Sequence, residues 1–323
     1  MRSILLRCPP VTYVLPILAA LLWLGCDTSE PLEAAETPVE LTLDQVAPLE
    51  PVELSPAPAG AFAPPSAQPG WVVDSFGFLY DDEAGAVNAM DIDGQRSRED
   101  QAPLSGTCGH GDFASTDGIL GIDHQFLRVT STFESLLPGG IADQIISNSA
   151  KDGSMTLLVT ADDDAVKLVI AEDAPLTGND GEVLSLSSFR PFPDDAYHAD
   201  MGPPDWVDGA YVAGPGDVRL RLNIQIVEAD LFLTDAYVRV VVDDDGTAHG
   251  VIQGYWSIES IIEILASTSA HLLALGYTRE EFEGVLAQHA DGARDDDGSC
   301  HALSAAFRFT AVPAFLLVEE GGP

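Results

Sequence analysis

Two segments of this chain put alternate carboxylates beside a glycine: Asp91-Ile92-Asp93-Gly94 and Asp295-Asp296-Asp297-Gly298. In such a sequence the two acids point the same way and the glycine permits a sharp turn around an ion, which is how calcium loops begin. The full EF-hand pattern fails, because aligning Asp91 and Asp93 with its third and fifth positions puts Ala89 at the first and Arg96 where an apolar residue belongs. Two readings remain. One is an irregular calcium loop within residues 81–123, with Asp91, Asp93 and Asp117 as its expected ligands. The other is an Asp/Gly-rich turn satisfied by water.

A second acidic group, Asp194, Asp195, His198 and Asp200, crowds one proline-bounded segment. These side chains can ligate a metal or divide acid and base roles, so a metal-dependent hydrolase near Asp194–Asp200 is one expectation and a solvated surface turn is the other. The two differ in whether the side chains converge in one cleft. His124, His249, His271 and His289 lie in or beside regular elements and read as packed or solvated. The chain contains no G-x-S-x-G, H-E-x-x-H, P-loop or G-x-G-x-x-G motif. No catalytic residue can be named from it, and a non-enzymatic binding module is the leading reading.

The N-terminus carries Arg2 and Arg7, then an uncharged run from Cys8 to Gly25. That run is short for a membrane-spanning helix and is interrupted by Pro9, Pro10 and Pro16, so residues 1–25 have the shape of a signal peptide. It ends in Leu22-Trp23-Leu24-Gly25-Cys26, followed by Asp27-Thr28-Ser29-Glu30. This junction resembles the lipobox of bacterial lipoproteins, in which a small residue precedes a cysteine that becomes lipidated. Gly25 and Cys26 fit that pattern, while Trp23 and Leu24 are bulkier than it prefers. The resemblance implies lipidation at Cys26 and an exported protein anchored by its lipid to the cell membrane or outer membrane. With Cys8 removed and Cys26 acylated, Cys108 and Cys300 are the thiols left in an oxidising compartment and are expected to pair. Because His110 and His301 lie close to them in sequence, a Cys2His2 metal site is the alternative.

The elements that must position these residues follow. Residues 26–70 form an acidic, proline-rich tether with no Lys, Arg or His, too poor in apolar surface to offset the entropy of ordering. A strand is expected from Gly70 to Tyr80, and an Asp/Gly-rich loop over 81–121. A helix follows from Ile122 to Leu137, stopped by Pro138-Gly139-Gly140. Strands are expected at 155–160, 166–171 and 183–187, and over Val218–Ile226 where apolar residues alternate. A hairpin spans 237–255 around Asp243-Asp244-Asp245-Gly246. The spacing of Ile258, Ile261, Ile262, Leu265, Leu272 and Leu273 predicts a helix ending at Gly276. Thr278-x-x-Glu281 is a capping box for another, and 302–318 returns to the sheet. The expected class is α+β, mainly antiparallel β-sheet with two or three helices packed on one face, in a single domain over 71–323.

The sequence holds 52 Asp plus Glu against 14 Lys plus Arg, a formal charge of −38. Such a surface repels polyphosphate and argues against nucleic acid as a partner. The expected partners are the membrane, through the anchor, and an envelope protein or glycan. Calcium is the expected cofactor. A structural lipoprotein without a small ligand is the remaining alternative. The stretch Asp91-Ile92-Asp93-Gly94, Cys108, Asp112-Phe113, Thr116-Asp117-Gly118 and Gly121-Ile122-Asp123-His124-Gln125 resembles a group of exported proteobacterial and myxobacterial proteins, in which asparagine is expected where His124 stands. That resemblance covers about 35 residues. It implies an exported domain with a stapled loop and no assigned activity.

Overall fold

The computed structural model describes residues 66–96, 108, 110–130, 141–224, 227–267, 278–295 and 298–318. The expected signal peptide, Cys26 and nearly all of the tether lie outside these. The first strand, β1, runs Ser66–Phe78 and so starts slightly before Gly70. Its partner is the long C-terminal strand, so the pairing extends into residues assigned above to the tether.

The domain is mostly antiparallel sheet with few helices. After β1 come the short hairpin of β2 (Phe113–Ala114) and β3 (Leu120–Ile122), then β4 (Leu157–Ala161), β5 (Val166–Ile170), β6 (Ser187–Phe189), β7 (His198–Asp200) and β8 (Asp205–Val207). The long strands β9 (Ala210–Ile224), β10 (Val227–Val242) and β11 (Ala248–Ser257) follow, with β12 (Gly292–Arg294) and β13 (Cys300–Val318) closing the chain. Eleven of these make one sheet in the order β7-β5-β4-β1-β13-β11-β10-β9-β8, with β12 and β6 also on β13. Only the β6 pairing is parallel. The sheet curls into a half-barrel, bringing β5 and β7 from one end towards β9 near the other.

Side-chain alternation explains how both faces are used. In β9, Val218, Leu220 and Leu222 are buried while Asp217, Arg219 and Arg221 between them are not. Along β11 and β13, Ile252, Trp256, Leu303, Ala305, Phe307 and Phe309 enter the largest core cluster. Phe76 and Phe307 stack there with ring centroids 5.4 Å apart. The alternate residues Val251 and Ala306 join a separate small cluster with Leu79, Val87 and Ile122. The loop after β1 therefore folds over the face of β11 and β13 opposite the main core.

Helix α1 (Ile141–Asp152) contributes Ile146 and Ala150 to the main core, α2 (Ile258–Ser267) contributes Ile258, Ile261, Ile262 and Ile264, and α3 (Arg279–Ala287) contributes Phe282 and Leu286. Their spacing by three and four residues gives each an apolar stripe. The capping box of α3 forms as its sequence predicts: the Glu281 amide donates to Thr278 Oγ1 at 3.2 Å and the Thr278 amide to Glu281 Oε2 at 2.8 Å. Among the described residues no helix is long and apolar enough to cross a membrane.

Several expectations need revision. Ile122 belongs to β3, and helix begins only at Phe126; residues 131–140 lie outside the described set. α1 was not anticipated, because its sequence mixes Ile with Asn, Gln and Ser and follows a Pro-Gly-Gly stop. The strand expected at 183–187 is reduced to a single bridge, Thr177 to Val183, and to the start of β6. β9 and β10 are far longer than alternation implied. Register shifts around Ala236, opposite the Gly214-Pro215 segment, break the pattern without ending the pairing.

Candidate metal centre

The polar members of β11 and β13 lie on the face that the loop covers, and they hold it down. Register pairs Gln253 with Ala306 and Tyr255 with Ser304, so these residues share that face with Val251. Gln253 takes the Met90 amide on Oε1 at 2.7 Å and donates Nε2 to the Met90 carbonyl at 2.9 Å. Gln253 Nε2 also donates to the Asp123 carbonyl. His124 is fully buried. It accepts the Ala306 amide at Nδ1 (3.2 Å) and donates Nε2–H to the Leu79 carbonyl (2.9 Å). Burial holds this imidazole down at about 4, so it is neutral and works as a peg between loop and strand. Ser304 accepts the Gln125 amide and donates its hydroxyl to Asp291 at 2.6 Å.

Within this frame three carboxylates meet. Asp91, Asp93 and Asp123 each place an oxygen within 4.8 Å of the others'. Asp91 and Asp93 come from a turn in which their Oδ1 atoms accept the amides of Gly94 and Gln95, both at 2.7 Å. Asp123 reaches the turn from between β3 and the helical residues 126–130, and its Oδ2 accepts the amides of Ile92 (2.8 Å) and Asp93 (3.2 Å). The approach requires Gly121. At φ +107° a Cβ there would meet Asp91 Oδ2 at 3.1 Å and the Gln95 carbonyl at 3.2 Å.

Asp123 is only 3% exposed. Burial pushes its carboxyl up to about 8; nearby Asp93, Asp112 and Asp291 push the same way, while the Ile92 amide pulls back. Asp93 is raised by burial and by Asp91, against the Gln95 hydrogen bond. Asp291, at the entry to β12, is lifted by burial to about 7 even though Ser304 donates to it twice. Tyr255 is raised by burial and by Asp123, Asp291, Asp93 and Asp235, which keeps its phenol protonated. Its ring occupies the space a side chain at Gly292 would need. Among the described residues, none of Asp91, Asp93 and Asp123 has an ion-pair partner. A concentration of like charge at low dielectric, with oxygen as the only donor, suits a hard divalent cation.

Beside this centre Cys108 is joined to Cys300, the first residue of β13, with Cα atoms 6.2 Å apart. The bond consumes both thiols, so the zinc alternative does not arise. His301 faces Asp295 at 3.0 Å, and the rings of His110 and His289 lie 6.2 Å apart. Asp117 stands exposed in the turn between β2 and β3 and is not part of the triad; Asp123 is. In the second D-x-D-G segment, Asp296 and Asp297 lie outside the described residues. The Asp194–Asp200 segment does not converge: Asp194 caps a short helical turn and Asp200 accepts the Gly202 amide at 2.9 Å. Asp195 is fully exposed, 3.5 Å from His198 Nδ1, while His198 Nε2 donates to the Phe192 carbonyl at 2.7 Å. Comparison with protein-family models, curated proteins and solved structures finds no match for this chain.

Proposed function

We propose that this is an exported, lipid-anchored, non-enzymatic binding module of the cell envelope whose domain takes up calcium at Asp91, Asp93 and Asp123. One observation carries the reading: a carboxylate buried to 3% exposure points into two others with no cationic side chain on any of the three among the described residues. Calcium accepts six to eight oxygens in flexible geometry, so three carboxylates with loop carbonyls and water meet its needs. Magnesium demands a tighter octahedron and keeps its water. The ion would fasten the loop to the polar face of β11 and β13. The helices would cover the opposite, apolar face, leaving the loop as the surface offered to a glycan or protein partner. A charge of −38 supports a partner other than nucleic acid.

Calcium titration of the full chain, at fixed ionic strength with magnesium and sodium controls, tests this. At about a hundred times its Kd, calcium should raise stability by roughly 2.7 kcal/mol. The gain should vanish in Asp123→Asn, which keeps an oxygen for the two amides but lowers the charge. Equal responses to calcium and magnesium, or an unchanged response in that variant, would reject the site. For the anchor, labelled palmitate should enter the wild type in its bacterial host and not Cys26→Ser; equal labelling of both rejects lipidation there.

A further inference from the structure

A second feature lies at the far edge of the sheet, on the hairpin of β8 and β9. Asp208 and Gly209, both at positive φ (50° and 80°), form its two-residue turn, the conformation that Asp-Gly favours. Register sets Trp206 opposite Tyr211 on one face. Their centroids are 4.8 Å apart and their planes meet at 76°, giving two aromatic walls in place of one flat platform. Trp206 is nevertheless 65% exposed, on an edge strand. A hairpin needing only a stabilising cross-strand pair would be served by a smaller ring, and a lone Trp on an edge is an aggregation liability.

The two rings line an open cavity of about 280 Å³ together with Pro204 and Asp163. Asp163 belongs to the β4–β5 turn, where its neighbour Asp162 accepts the amides of Asp164 and Ala165 at 2.9 Å each. Asp163 itself makes no hydrogen bond or ion pair among the described residues. No Lys or Arg lines the cavity. Two crossed aromatic rings, a proline and an unpaired carboxylate attract the same ligand, a positively charged organic group with an apolar surface. The ring quadrupole draws the cation to the faces, and the carboxylate balances its charge.

We infer that Trp206, Tyr211, Pro204 and Asp163 form a binding site for an organic cation of the quaternary-ammonium type. The acidic character of the whole chain concentrates such ligands near it and excludes anions. A sugar is the competing occupant of exposed tryptophans, but sugar stacking uses one broad face and a rim of hydrogen-bonding groups, whereas this cavity offers crossed rings and one carboxylate.

The test uses the full chain and follows the indole N–H signals of its tryptophans by NMR, with Trp206→Phe identifying the relevant one. Choline is titrated at constant ionic strength against its neutral isostere 3,3-dimethyl-1-butanol and against a neutral chito-oligosaccharide. The Trp206 signal should shift with choline in the millimolar range, and the isostere should bind about tenfold more weakly. Asp163→Asn should weaken choline several-fold while leaving the isostere unchanged. Equal affinity for choline and the isostere would reduce the site to an apolar dent and overturn the inference. So would a response to the oligosaccharide alone, or choline binding indifferent to both Asp163→Asn and Trp206→Phe.

Discussion

Residues 91–123 and residues 194–200 carry the same kinds of side chain, yet the first stretch gathers its carboxylates and the second disperses them. In the second, partners are local: Asp194 serves Ala196, Asp200 serves Gly202, and His198 reaches back to Phe192. In the first, Asp123 binds amides 31 and 30 residues away, and Gln253 pins Met90 from 163 residues away. Asp91 and Asp93 also serve their own turn, through the Gly94 and Gln95 amides, and what sets them apart from the second segment is the arrival of Asp123. A carboxylate carried by tertiary structure into a buried place beside others has lost its water without gaining a counter-charge.

The largest effect on this contrast should come from the disulfide. Cys108 and Cys300 close a separation of 192 residues, and losing that constraint costs up to roughly 5 kcal/mol in the chain-entropy account. The pair Cys108→Ser with Cys300→Ser should lower the melting temperature by several degrees. It should also weaken the calcium response, because Cys300 begins the strand whose Ser304 holds both Gln125 and Asp291. An unchanged calcium response in the serine pair would mean that Asp123, His124 and Gln253 hold the loop unaided.

A pH scan should give the next largest effect. Asp123 and Asp291 have folded-state values raised to about 8 and about 7, above the ordinary carboxylate range. Groups shifted in that direction stabilise the fold while protonated, and their contribution is lost as pH rises through the folded value. Without calcium, stability should therefore decline from about pH 5 to pH 8, on the order of a few kcal/mol. With calcium the carboxylates must be ionised to bind, so the increment from the ion should grow over the same range and offset the decline. Parallel denaturant titrations across that range, with and without calcium, measure both curves. If they stay a constant distance apart, the buried carboxylates are not the ligands.

Local signals were the legible ones. The capping box at Thr278 and Glu281 depends on four consecutive residues, and the alternation of Val218, Leu220 and Leu222 on a short run, so both appear as read. Asp91 and Asp93 were found because a D-x-D-G turn is itself local. Asp123 lies one residue after the expected helix start at Ile122, a position that says nothing of the turn it meets. Asp117 is expected as a ligand on composition alone, since Thr116-Asp117-Gly118 is as loop-like as the turn at 91–94. The roles of Gln253, Ser304 and Asp291 depend on contacts across as many as 179 residues, which no window of sequence encodes. The one available hint was Gly121, a glycine two residues before Asp123, whose positive φ has meaning only once Asp91 is opposite.

The smallest effect should come from the second segment, where the comparison is most easily overturned. Asn at position 194 remains a good cap for the turn that Asp194 now caps, and Asn at position 200 still offers an oxygen to the Gly202 amide. Asp195 is fully exposed, and its contact with His198 is long and open to solvent, the kind of pair that contributes almost nothing. The triple variant Asp194→Asn, Asp195→Asn and Asp200→Asn should therefore shift the melting temperature by no more than about 2 °C. Its calcium titration should overlay that of the wild type, because none of the three is among the charges that act on Asp123 or Asp93. A triple variant that lost its calcium response while Asp123→Asn kept it would invert the comparison, making the exposed turn the ion site and the buried triad a set of shared protons.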